Sequence, residues 1–322
     1  MSQYKRSVLV DGMHLCYRHF HVMKDKEDSY KDDKFIGFYN SIMNSIRYIR
    51  RRYRGYTIYV LWDSNTSKRT AMYPDYKKRP KKKAEKEERV KIYSLLPDLK
   101  ILFRSHGIHQ ITGIGYEADD VAGYMVDFLV DKVPEIILWT GDLDWAQLIR
   151  PKVKWMKLTS TVHTVFDARS FKTKYGYPPS GVTIFKALTG DRSDNIKGLY
   201  LFPKKLAAEL ACHATSIESF YYDRAILNNV PDKWKELIKT QAVELRRNYN
   251  LVTLMKVDRI HVDKAVENKE VFDAIVDKYC LDSFVPKTKR DIIYDKMKKK
   301  VQERQDSEEI EKEKSSETLI QW

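Results

Sequence analysis

Nine carboxylates sit where apolar runs end. Asp11 closes "SVLVDG", Asp63 closes "TIYVLWDS", and Asp142 follows "EIILWTG" with Asp144 two residues on. "GYEADD" packs Glu117, Asp119 and Asp120 into four positions, and "GDRSDN" carries Asp191 and Asp194. Taken singly, each cluster has an ordinary reading. Acids are favourable at a helix N-terminus, and Asp is common at caps and turns. Together they mean more, because all nine lie at the ends of elements. Brought to one place, nine like charges would raise one another's pKa and cost stability. A hard divalent cation removes that cost. Mg²⁺ takes oxygen ligands and keeps several waters, so it needs carboxylates in excess rather than His or Cys. Two such ions about 4 Å apart can activate a water and stabilise a leaving oxygen in phosphodiester cleavage. The pattern therefore points to two Mg²⁺ ions, for which Mn²⁺ would substitute, and to nuclease chemistry.

The elements that must hold these acids can be read from hydropathy. Short continuous apolar runs rich in Val and Ile suit parallel strands buried on both faces. Three such runs each deliver an acid to their carboxyl end, at Asp11, Asp63 and Asp142. Helical patterns separate them, over Phe38 to Tyr53, roughly Glu85 to Arg104, and Ala118 to Val130. This alternation predicts an α/β domain with a mainly parallel central sheet. Sites in such sheets form beyond the carboxyl ends of the strands. "VKWMKLTSTVHTVFD" reads as a hairpin or a pair of short edge strands. After Arg169 the pattern turns helical and more basic. "SGVTIFKALTG" predicts a helix that breaks at Gly190, "DRSDNIKGLYLFP" a loop, and "KKLAAELACHA" a second helix. Further helices are expected over Pro231 to Arg247 and Val271 to Tyr279. From Pro286 onward the chain is highly charged, and "DSEEIEKEKSSET" has too few apolar residues to pack.

The 322 residues include 59 Lys and Arg against 45 Asp and Glu, a formal net charge of +14, with a pI near 9.3. Such a surplus favours a polyanionic partner. Cys16, Cys212 and Cys280 form no C-x-x-C pair, which argues against a zinc ribbon or a disulfide framework. The eight histidines show no ligand pattern; His14, three residues after Asp11, is expected to pack rather than ligate. The N-terminus lacks the apolar core of a secretory signal, and no apolar run approaches the ~20 residues needed to span a bilayer. A cytoplasmic protein without membrane contact is expected. "RTAMYPDYKKRPKKK", from Arg69 to Lys83, interleaves lysines with tyrosines. Such a run can track a phosphate backbone and offer platforms for bases. A lone basic run is more often a solvated loop, but this one directly follows Asp63.

In this order the motifs resemble the flap endonuclease / 5′→3′ exonuclease superfamily, in particular its phage-type 5′-nucleases and T-even-type ribonuclease H, over roughly Val8 to Leu254. The resemblance implies a PIN-like 5′-nuclease fold with a helical arch inserted at about 64–92 and a C-terminal helical DNA-binding subdomain of helix–turn–helix type. It implies that Asp11, Asp63, Glu117, Asp119 and Asp142 surround a first ion. Asp120, Asp144, Asp191 and Asp194 would surround or approach a second. "RTAMYPDYK" resembles the family's approach to the arch, which puts Lys77 near the scissile phosphate as a catalytic residue. Arg69, Tyr76, Lys77, Lys78, Arg79 and Lys81 are then expected at nucleic acid, with Tyr76 stacking on a base. Two departures stand out. Pro80 replaces a second basic arch residue, and Leu201 and Pro203 replace glycines of the hairpin that follows "GDxxDN". Those glycines let backbone N–H groups approach a phosphate, often beside K⁺. Here duplex gripping is expected to be altered, with Lys197, Lys204 and Lys205 supplying charge, and a K⁺ site is named without being relied upon.

The resemblance thus implies a monomeric Mg²⁺-dependent 5′-nuclease acting on DNA and RNA·DNA hybrids with 5′ ends or flaps in replication, in the host cytoplasm if phage-encoded. Residues 1–172 would form the catalytic domain, 173–285 the helical subdomain and 286–322 a charged tail. Its apolar end, Leu319 to Trp322, is a candidate peptide for a sliding clamp or a single-strand-binding protein. Two alternatives stay open, a PIN-like ribonuclease acting on cellular RNA and a non-catalytic nucleic-acid-binding replication accessory.

Overall fold

The computed structural model describes residues 5–284, apart from 79, 81–82, 160–162, 215 and 282–283. Arg79, Lys81, the charged tail and Leu319 to Trp322 lie outside the described residues. The strands are β1 (Ser7–Asp11), β2 (Thr57–Trp62), β3 (His109–Gly113), β4 (Ile136–Thr140), β5 (Val153–Leu158), β6 (His163–Phe166), the two-residue pair β7 (Gly190–Asp191) and β8 (Ile196–Lys197), and β9 (Ile260–Asp263). All but β7 and β8 form one sheet in the order β6-β5-β4-β1-β2-β3-β9. The pairs among β1 to β5 are parallel, and β6 and β9 close the two edges antiparallel.

The chain runs from β1 outward through β2 to β3, then crosses back to place β4 on the other side of β1. The strand order reverses between β1 and β4, and the crevice beyond their carboxyl ends is where an open α/β sheet binds its ligand. β1 (SVLVD) and β4 (IILWT) are buried at every position, which their lack of polar alternation foretells.

The helices are α1 (Gly12–Met23), α2 (Ile36–Arg52), α3 (Lys68–Met72), α4 (Lys83–Ser105), α5 (Ala118–Leu129), α6 (Ala168–Tyr175), α7 (Val182–Thr189), α8 (Lys204–His213), α9 (Ser219–Tyr222), α10 (Arg224–Leu227), α11 (Asp232–Thr240), α12 (Ala242–Val252) and α13 (Lys269–Lys278). Successive strand residues point to opposite faces. Val8, Val10, Val60, Trp62 and Trp139 pack with α1, α2, α4 and α13 on one face. Leu9, Leu61, Ile111, Leu138 and Trp155 pack with α5 on the other. This second core continues without a break into Val182, Ile184, Leu188, Leu210 and Leu245 of the helical region.

One helix and two strands differ from the sequence expectation. The helix expected over Pro231 to Arg247 is two helices, α11 and α12, which meet at Gln241 with φ −103° and ψ 31°. β3 and β9 were not anticipated, because polar His, Gln and Thr interrupt their short apolar pattern. α4 begins as a solvated helix. Its residues from Lys83 to Lys91 are exposed or half-buried, and burial starts at Ile92.

Candidate active site

Each acid is delivered by the end of an element. Asp11 ends β1 and caps α1: one oxygen accepts from the His14 N–H at 2.9 Å, and the other accepts from the Thr140 hydroxyl at 2.9 Å. β1 and β4 are thereby tied at their carboxyl ends. Asp63 follows β2 and accepts from the Ala118 N–H at 2.8 Å, so it rests on the N-terminus of α5. Glu117 caps that helix, and Asp119 and Asp120 fill its first turn. Asp142 follows β4 and caps a short 3-10 turn, accepting from the Asp144 N–H at 2.9 Å. The β7–β8 hairpin after α7 brings Asp191 and Asp194. Gly190 and Gly198 make that hairpin possible. Gly190 has φ +77°, and a Cβ on Gly198 would lie 2.2 Å from the carbonyl carbon of Thr189.

The pocket is electrostatically costly. The Asp11 carboxyl is raised to about 7, first by burial and then by Asp63 and Asp142. Burial also raises Asp63, and burial with Asp120 raises Asp119. Asp144 is raised to about 7 by burial, with Lys186 opposing and Asp142 adding. Burial raises Asp194, with Asp191 and Glu117 adding. The oxygens of Asp144, Asp191 and Asp194 can lie within 4.8 Å of one another. The donor set is carboxylate oxygen with no Cys, which fits a hard divalent cation and does not fit a zinc cage.

Three cations offset part of this charge. Lys77 places its ammonium 2.8 Å from Glu117 and 3.8 Å from Asp194, with its side chain 48% exposed. It adopts φ +55°, and its N–H donates to the Asp194 carbonyl at 2.9 Å. A non-glycine residue held in the left-handed region is a mark of a constrained site. Asn195 reinforces the junction, donating to the carbonyls of Asp75 and Lys78 at 2.9 and 3.0 Å. The "DN" of the hairpin loop therefore clamps the "YPDYKK" segment. Lys186, on α7, donates to Asp144 and to Asp191, the latter at 2.7 Å. Burial works against the charge of Asp191, yet Lys186 and Ser193 hold its carboxyl below the usual range. Burial likewise opposes Glu117, and Lys77 wins.

The third cation corrects the sequence reading. Arg69, expected at nucleic acid, is 2% exposed. It makes a bidentate pair with Asp120 at 2.5 and 2.7 Å and donates to the carbonyls of Leu251 and Thr253 at 2.9 and 3.1 Å. Asp120, expected as a metal ligand, is fully buried, and its oxygens also accept from the N–H groups of Glu117 and Met255. Those oxygens are spent on fastening α3 and the end of α12 to α5. Tyr76, expected to stack on a base, is 3% exposed. Its hydroxyl lies 2.9 Å from Glu117 and 3.1 Å from Asp194. A phenol has one proton. It can therefore donate to only one of the two carboxylates at a time, and burial holds the Asp194 carboxyl above its ordinary range.

Lys78, Lys197, Lys204 and Lys205 are exposed, as a phosphate contact requires. His14 packs beneath the Gly141 turn, where a Cβ would meet its Nε2 at 2.4 Å. Leu201 has φ +52°, so the loop keeps a glycine-like backbone without the glycine. Thr140 and Lys186 escaped the sequence reading. Thr140 sits two residues before Asp142, and Lys186 four before Gly190, but neither carries a charge pattern that separates it from an ordinary neighbour.

Comparison with known proteins gives the family and the fold. Residues 6–176 match the family of the 5′-3′ exonuclease N-terminal, resolvase-like domain. The 5′-3′ exonuclease of Buchnera aphidicola subsp. Baizongia pistaciae is 30% identical over 244 residues, covering 74% of this chain and 76% of that one. The thermostable DNA polymerase I of Thermus filiformis is 30% identical over 263 residues, covering 80% of this chain and 30% of the polymerase. The chain spans only a quarter to a third of the DNA polymerase I chains that it matches. Among solved structures, the D15 protein of phage T5, co-crystallized with metal ions, superposes with a TM-score of 0.64 at 22% identity, covering 85% of this chain and 98% of that one. The same T5 flap endonuclease in a pseudo-enzyme–product complex with DNA and metal ions gives 0.61 at 23% identity over the same shares. At these identities the structural likeness speaks to the fold.

Proposed function

The chain belongs to the 5′-3′ exonuclease family through its N-terminal resolvase-like domain, and on that premise we propose that it is a Mg²⁺-dependent 5′-nuclease that trims RNA primers or 5′ flaps in replication. The observation that carries this reading is the convergence of acids from β1, β2, α5, β4 and the β7–β8 hairpin on one crevice, with the half-exposed Lys77 ammonium beside them. Two ions held by Asp11, Asp63, Glu117, Asp119 and Asp142 on one side and Asp144, Asp191 and Asp194 on the other would supply an activated water and charge for the leaving oxygen.

The rest is the chain's own work. Thr140 fixes the rotamer of Asp11, and the N–H of Ala118 fixes Asp63. Asp142 stands exposed at the mouth. Lys77 offers a positive charge to the phosphate as negative charge develops there, the role of a preorganised electrostatic stabiliser. Lys78, Lys197, Lys204 and Lys205 hold phosphates on either side and make binding salt-dependent. A cavity of 590 Å³ lined by Lys197, Gly198, Tyr200 and Arg247 has room for a backbone phosphate and is proposed to take one from the duplex. Among the described residues no helix is long and apolar enough to cross a membrane. The 1–172, 173–285 and 286–322 division, the arch over the site, and docking of Leu319 to Trp322 on a clamp or single-strand-binding protein belong to the same proposal.

The test is cleavage of end-labelled flap, nick and RNA·DNA hybrid with Mg²⁺ or Mn²⁺, wild type beside Asp142→Asn. Asn caps a turn as well as Asp, so the substitution spares the fold. The wild type should release short products from the 5′ end. The variant should be slower by about 10² or more, as loss of a charge-stabilising group commonly is, with binding little changed. Binding without cleavage would make the protein an accessory. Cutting of RNA that has no free 5′ end would make it a PIN-like ribonuclease.

A further inference from the structure

We propose that Lys186 is a resident counter-cation for the second metal site, holding Asp144 and Asp191 until a divalent ion displaces its ammonium. This rests on the metal-dependent reading above. Lys186 projects from α7 and is 9% exposed. Its Nζ bonds Asp144 Oδ1 and Asp191 Oδ2. These two residues, with Asp194, are the acids whose oxygens can close to within 4.8 Å among the described residues. A cation that takes up those same oxygens must take them from the ammonium.

The contrast with Arg69 and Asp120 shows why this pair is built to open. Arg69 is a planar fork, and every one of its three nitrogens has a partner: two reach Asp120, and two reach main-chain carbonyls. Its four bonds tie α3 to α5 and to the end of α12, and the side chain cannot leave without unfastening them. Lys186 is a point charge on a flexible four-carbon stem with three donors. Two of its donors meet carboxylates, and no third acceptor is recorded among the described residues. A rotation of the stem frees both acids and disturbs no backbone bond. The ammonium supplies one positive charge where three acids gather. It makes the trio tolerable without an ion and still leaves a net negative charge to draw one in.

The consequence is a site that binds its ion weakly because it is already occupied. The experiment is divalent uptake without nucleic acid, followed by titration calorimetry with Mg²⁺ and by electron paramagnetic resonance with Mn²⁺, on wild type, Lys186→Met and Lys186→Gln. The wild type should take up one ion well and a second poorly. Both variants should tighten the second uptake by about tenfold or more, within the usual span of coupling between two sites, and leave the first unchanged. A second uptake that is unchanged or weaker in both variants would make Lys186 a structural prop and overturn the proposal. No uptake by the wild type would instead overturn the metal reading itself. Because removing a buried ammonium can unfold a chain, the wild type is also read directly by lysine ¹⁵Nζ resonances. The Lys186 signal should move to a solvent-like position at the ion concentration that fills the second site. A signal that stays put through that titration would overturn the proposal as well.

Discussion

Replacing Arg69 by Ala separates a clamp of the fold from a hand on nucleic acid. The Arg69–Asp120 pair is desolvated on both sides, at 2% and 0% exposure. Removing one partner of a buried pair costs about 3–5 kcal/mol, because the other charge is left stranded. Here the stranded Asp120 keeps two backbone donors, Glu117 at 3.2 Å and Met255 at 2.7 Å. The loss should therefore fall at the low end, about 3 kcal/mol. At about 2–4 °C per kcal/mol for a chain of this order of size, Tm should drop by roughly 6–12 °C. Thermal unfolding by circular dichroism reads this directly. The double variant Arg69→Met with Asp120→Leu removes both charges together and should recover most of the loss. Binding of a labelled flap in EDTA across a salt series supplies the contrary signal. An unchanged Tm, with weaker binding and a salt slope reduced by about one, is the signature of a lost phosphate contact. That result would refute the internal role and restore the reading from sequence.

Two further outcomes follow from the same geometry. Asp11 and Asp144 are raised from 3.8 to about 7 in the folded chain, first by burial. The folded state then keeps protons that the unfolded state gives up, so stability falls as pH rises from about 4 through about 7 and levels off above; Tm in EDTA should drop between pH 5 and pH 8, and Mg²⁺ should restore it at pH 8 and do little at pH 5, whereas melts indifferent to both would count against a crowded acidic pocket. Gly198→Ala puts a Cβ 2.2 Å from the Thr189 carbonyl carbon and 2.5 Å from the Gly190 nitrogen. Overpacking against backbone should cost about 1–3 kcal/mol, read by thermal melts, and should displace Asp191 and Asp194 enough to weaken divalent uptake in calorimetry; wild-type values for both would show that the hairpin crossing is looser than it looks.

What was legible in the sequence was whatever local pattern determines. β1, β2 and β4 announced themselves as apolar runs that end in Asp, and α2, α4 and α5 by their period. The acids could be placed at one edge because strand direction alone decides where a carboxyl end lies. β3 was not legible because Gln110 lies in the middle of it, buried, and its amide accepts from Trp62 and donates to the Lys100 carbonyl. A buried Gln with tertiary partners looks in sequence like a solvated one. Arg69 and Tyr76 were misread for a related reason. They sit beside a lysine run that is exposed, and what draws them inside is Asp120 and Glu117, some 40 to 50 positions later. Lys186 sits on a short amphipathic helix, where a lysine is ordinarily the solvent face.

The cations account for part of the pattern of shifts, and burial for the rest: Asp144 bonds Lys186 and is still raised. Glu117 and Asp191 each hydrogen-bond an ammonium, from Lys77 and Lys186, and both carboxyls sit below their ordinary range. Asp11, Asp63 and Asp119 hydrogen-bond no cation among the described residues, and all three are raised, with burial the largest cause in each. A divalent ion gains most where carboxylates are least compensated, since it relieves both the desolvation and the mutual repulsion. On the metal-dependent reading, we propose that the first ion is drawn toward Asp11, Asp63 and Asp119, although the acids already gathered within 4.8 Å among the described residues are Asp144, Asp191 and Asp194. The side that holds Lys186 fills second. The order of filling follows from where the chain has already placed its own positive charge, and a count of the acids on each side would not have given it.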